Sequence, residues 1–159
     1  MSKASNHTQA WRNFKRMQDC ACLVACLIYA GAVIHAWRVL PGSAQTKLIF
    51  TIAAPMIFLA LAMLLPAAIV GLRRQLARYV WMTFNAGAGQ TPVSVLVWLG
   101  LLGFAALFIY RQIAGVASGG RYPAGVFSGY AAGIGILFVQ AALVRTLERD
   151  PEVRKRIEA

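Results

Sequence analysis

Four stretches of this sequence, residues 20–37, 48–72, 93–110 and 124–144, run for about the thickness of a bilayer without one Asp, Glu, Lys or Arg. A hydrocarbon core of roughly 30 Å takes about 20 apolar residues in helical form. Inside lipid the backbone must satisfy its own hydrogen bonds, so such runs become helices. The spacing therefore predicts an all-α membrane protein: a four-transmembrane-helix bundle with short loops and cytoplasmic termini. The first and third runs are short and need interfacial aromatics, with Trp37 and Tyr110 at one end and Trp11 and Trp81 near the other.

Charge sets the expected orientation. Twelve of the 16 lysines and arginines fall in the N-terminal tail, in the loop after the second run and in the C-terminal tail. The other two loops hold only Arg38, Lys47, Arg111 and Arg121. Positive flanks stay inside, so both termini are expected in the cytoplasm. The chain carries +11 with only 13% charged residues. Because the cations edge apolar runs, anionic lipid headgroups are the expected partners and nucleic acid is not. Arg12, Lys15, Arg16, Arg73, Arg74 and Arg78 are the expected headgroup contacts. Alanine-rich spans, compact loops and the lack of a recognisable signal sequence point to a bacterial inner membrane.

Three units follow. Residues 1–19 form a basic N-terminal tail or an interfacial helix, both readings being open, with Trp11 and Phe14 on one side. Residues 20–144 form the four-helix domain. Residues 145–159 form a basic cytoplasmic helix, with Asp150 as cap, Pro151 in its first position and Glu152 four before Arg156. In the middle loop Leu72, Leu76, Val80 and Phe84 recur every four residues, which predicts a helical extension of the second span turning along the membrane surface. Residues 85–92, rich in Gly and ending in Pro92, break it.

The strongest local pattern lies in the fourth span. Gly125, Gly129 and Gly133 are four apart, Ser128 and Ala132 fall beside them, and Gln140 follows one heptad after Gly133. Small residues let helix backbones approach closely in lipid. The expected role is a helix-packing interface, within the bundle or between protomers, with Gln140 as a polar lock. Pro55 and Pro66, eleven apart, kink the second span in one direction. His35, which shares a face with Gly31, is a possible polar intramembrane site. Cys20, Cys22 and Cys26 are expected to be packing residues rather than a metal or disulfide set.

The function classes are narrowed by what the spans lack. None holds an Asp or Glu, the residues that usually couple protons through a membrane; the small four-helix multidrug exporters carry a glutamate in the first span, and this chain does not. No hydrolase triad, zinc-protease motif or phosphate loop is present. No enzyme activity, cofactor or metal is therefore expected. The leading expectation is a structural or accessory subunit of a membrane assembly of export, conjugation or energy-transducing type, with membrane proteins or further copies of itself as partners. The alternative is a pore or permeability protein, holin-like or a small channel.

Overall fold

The computed structural model describes residues 3–85, 92–121 and 124–151. Helix α1 (Lys3–Val39) is followed by α2 (Ala44–Leu48), a π-helical turn (Ile49–Ala53) and α3 (Ala54–Ala68). Then come α4 (Val70–Asn85), α5 (Pro92–Ala117) and α6 (Ala124–Leu147). Among the described residues, four helical segments are long and apolar enough to cross a membrane: Thr8–Val39, Ala44–Ala68, Leu99–Ala117 and Gly125–Leu147. Among the described residues the protein is all-helical. The expected break at 85–92 falls mostly on residues outside those described, and so does the tail helix beyond Pro151.

The four rods are not equally enclosed. In α6, 44% of the most apolar stretch is buried, against 11% in the Ala44–Ala68 rod. Helix α6 sits at the centre, with α3 along one side and α1 along another, and α5 packs mainly on α1. The ends of the bundle differ as well. Lys15 on α1 meets Glu148 just past α6, which puts the two chain ends together at what is called here the tail end.

Helix α1 has 37 residues, or about 55 Å at 1.5 Å per residue. That exceeds a hydrocarbon core by several turns. The excess accommodates the amphipathic N-terminal stretch. The N-terminal part of α1 is continuous with its span and buries Trp11 and Phe14. These meet Val80 and Phe84 of α4 and Val144 of α6 in one cluster. Trp11 stands edge-on to Phe84 at 4.7 Å between ring centroids. Trp11 is thus a core residue of a three-helix cap, with Trp81 against it at 6.1 Å.

The second rod ends sooner than the apolar run does. Ile69 is extended (φ −102°, ψ 102°), one turn after Pro66, and α4 starts at the next residue. Helix α5 runs past Tyr110 to Ala117, because Ile113 and Val116 bury against Ala36 of α1 and Leu40 just past its end. It stops in a glycine cap: Gly119 has φ +98°, its N–H bonds the Val116 carbonyl, and the Gly120 N–H bonds that of Gly115. The 6→1 and 5→2 pair is a Schellman motif, which requires the positive φ that glycine supplies.

Candidate functional site

The fourth-span residues do not form a single surface. Gly125, Gly129 and Gly133 are exposed, and a Cβ added to any of them meets nothing within 4 Å. Ser128 and Gln140 are buried, and Ala132 is half-buried. Toward the tail end α1 and α4 close on α6 around Val144, and Gln140 and Leu143 are buried beside it. The Gln140 Nε2 atom has no hydrogen-bond partner among the described residues. A buried amide in that state costs about 1–3 kcal/mol unless a water or another chain satisfies it.

A close approach of two helices lies instead at Gly135, which the four-residue spacing passes over. A Cβ there would stand 2.9 Å from the Ala62 Cβ and 2.9 Å from the Leu59 carbonyl oxygen of α3. Ala131, one turn earlier, is buried on the same side. The signal in the sequence is the small pair Ala131–Gly135, one face round from the more conspicuous glycines.

The other feature absent from the sequence reading is a polar knot at the end opposite the tails. Pro55 has no N–H, so the Thr51 carbonyl cannot receive its α-helical bond from that residue. The Tyr29 hydroxyl of α1 donates to that carbonyl at 2.6 Å. The Trp37 indole donates to the Thr51 Oγ1 at 2.9 Å, and that hydroxyl donates to the Lys47 carbonyl at 2.7 Å. The Lys47 ammonium closes the loop on the Trp37 carbonyl at 3.0 Å. The π-helical turn that contains Thr51 is where the second rod is bonded to the first. Both Pro55 and Pro66 are buried.

His35 lies half-buried on α1, its ring 5.7 Å from that of Tyr110 on α5 and tilted 28° to it. A cleft of about 240 Å³ runs beside it, with Gly31, Ala32 and Ala106 in its walls. No set of three His, Cys, Asp or Glu that could hold a metal occurs among the described residues. Cys20 is exposed, Cys22 buried and Cys26 half-buried, all as free thiols.

The basic residues divide. Arg12, Arg16, Arg73, Arg74 and Arg78 are exposed at the tail end. Lys15 is held by both Glu148 carboxylate oxygens at 2.8 Å, and Arg145 by Asp19 at 3.0 Å. Both ion pairs join α1 to the end of α6, and Lys15 is thereby less available to a headgroup than its neighbours.

No family model, curated protein or solved structure matches this chain. Its chemistry rests on its own residues.

Proposed function

We propose that this protein is a multi-pass integral membrane subunit, structural or accessory, of a larger membrane assembly. The observation that carries the reading is the open face of Gly125, Gly129 and Gly133. The helix that holds it is otherwise the most enclosed of the four. A glycine face with nothing in front of it suits the close approach of a helix from another chain, where van der Waals contact and weak backbone C–H bonds supply the affinity. The assembly would be of export, conjugation or energy-transducing type, in a bacterial inner membrane. Both termini face the cytoplasm in this reading, because the positive flanks gather at the tail end. The exposed arginines there meet anionic headgroups.

The test is affinity purification of the chain from a mild detergent at native expression. A stoichiometric membrane-protein partner is expected, and Gly129→Leu is expected to release it. A partner-free monomer overturns the reading. Dye leakage on induction, abolished by the same substitution, would move the glycine face to a pore-forming oligomer. Reporter fusions at the two ends check the orientation, and activity on the exterior refutes it.

A further inference from the structure

Beside the tail-end half of α6 the α3 rod stands off, and a cleft of about 310 Å³ opens between them. Met63, Pro66 and Ala67 form one wall; Phe138, Ala142 and Leu143 form the other. Among the described residues that line it, the only charged side chain is Arg73, at the tail-end mouth beside Thr146. A second opening of about 380 Å³ continues past that mouth, lined by Arg73, Arg74 and Thr146, with Asp150 the one carboxylate among the described residues that line it. Arg73, Leu143 and Thr146 belong to both, so the two are one passage. Followed toward the tail end, it changes from wholly apolar walls to two guanidinium groups.

Neither guanidinium is in an ion pair among the described residues, in contrast with Lys15 and Arg145. The break at Ile69 adds to the positive field. The Arg73 N–H bonds the Ile69 carbonyl at 3.1 Å. The N–H groups of Val70, Gly71 and Leu72 therefore precede the first helical bond, at the positive end of the α4 dipole. Arginine guanidinium is also the side chain best matched to phosphate oxygens.

We propose that this passage binds one anionic phospholipid, with an acyl chain between α3 and α6 and its phosphate on Arg73 and Arg74. The proposal rests on the reading that the chain spans a bilayer. It goes beyond general headgroup attraction by assigning one site, and by excluding Arg12 and Arg16 from it.

The test uses the full-length chain in neutral detergent and native mass spectrometry. The probes are phosphatidylglycerol, phosphatidylcholine with the same acyl chains, and inorganic phosphate. One phosphatidylglycerol should be retained in preference to phosphatidylcholine. Arg73→Gln with Arg74→Gln should weaken phosphatidylglycerol about twenty-five-fold, from about fivefold per basic residue, and leave phosphatidylcholine unchanged. Ala142→Phe, which fills the apolar part, should weaken both lipids alike. Circular dichroism identical to the parent's confirms that each variant is folded. Equal retention of the two lipids by the parent overturns the proposal, as does an equal loss from Arg12→Gln with Arg16→Gln. Displacement of the lipid by phosphate at matched concentration also overturns it, because the site would then be one for a free anion. A chain that stays soluble after lysis without detergent refutes the membrane reading instead, and so separates the two failures.

Discussion

Gly135 and Gly129 sit less than two turns apart on α6 and do opposite things. At Gly135 the α3 backbone comes so near that a single added carbon would stand 2.9 Å from the Leu59 carbonyl oxygen. At Gly129 the same carbon would meet nothing within 4 Å. The glycine in the regular stripe is therefore the one the chain leaves uncovered, and the irregular one makes the intramolecular contact. Spacing identifies a smooth helix face, but which neighbour covers that face is decided by how the rods cross. The contrast also separates fold from association: Gly135 belongs to the first, and Gly125, Gly129 and Gly133 are available for the second.

The most direct way to break that contrast is to place leucine at each site. Gly135→Leu should destabilise the isolated chain in detergent by about 3 kcal/mol, since α3 and α6 must separate to admit it. Gly129→Leu should not destabilise the isolated chain, and the better helix former should add up to about 1 kcal/mol, its damage falling only on partner recovery. Equilibrium unfolding in a detergent titration measures both. Equal losses would mean that the stripe is already covered within the chain.

The rod that Gly135 admits is fastened a second time at its other end, and the second fastening predicts a smaller effect. Thr51→Val keeps the branched shape but removes the hydroxyl that accepts from Trp37 and donates to the Lys47 carbonyl. A loss of about 1–2 kcal/mol is expected, because the indole N–H is left unpaired. Tyr29→Phe should cost a similar amount, since the Thr51 carbonyl then lacks both the Pro55 N–H and its substitute donor. If neither change is felt in unfolding, the knot is not what holds the π-helical turn against α1.

The sequence makes the rods legible because a bilayer-length run without charge has few other uses. It also makes the amphipathic extension legible: Val80 and Phe84 are buried and Leu72 and Leu76 are half-buried, at the four-residue spacing that predicted them. What those residues rest on was not legible. Amphipathicity marks an apolar face, and Trp11, Phe14 and Val144 cover this one from 60 or more residues away. Thr51 was hidden for a related reason. Its importance comes from a missing N–H on Pro55 and a hydroxyl on Tyr29, so it depends on three positions that no local pattern links. Gly135 was hidden by better-spaced neighbours.

Gln140 sharpens the contrast from the polar side. It was expected as the polar lock of a seam within the bundle or between protomers, and it lies inside the chain with its Nε2 unpartnered among the described residues. Replacing an unsatisfied buried amide with an apolar group of similar shape is neutral or stabilising. Gln140→Leu should therefore change the stability of the isolated chain by no more than about 1 kcal/mol, with a gain expected. A loss of about 2 kcal/mol would reveal a partner for the amide, an internal water or a second subunit, and unfolding with and without the assembly would tell the two apart.

The smallest effect tests the comparison at its finest grain, with one methyl group at each site. Glycine within a helix costs about 0.5–1 kcal/mol relative to alanine, for want of a Cβ to restrict the unfolded backbone. At Gly129 the methyl enters open space, so Gly129→Ala should raise the stability of the isolated chain by up to that amount. At Gly135 the same methyl meets the Leu59 carbonyl and the Ala62 Cβ, neither of which is the far end of a flexible side chain, so the sign should reverse. Opposite signs from one substitution on one helix could not come from helix propensity, which acts on both positions alike. Only the presence of α3 at one glycine and its absence at the other distinguishes them. If both variants shift the midpoint in the same direction, α3 does not pack on Gly135 in solution, and the assignment of the two glycine sets to fold and to association fails together.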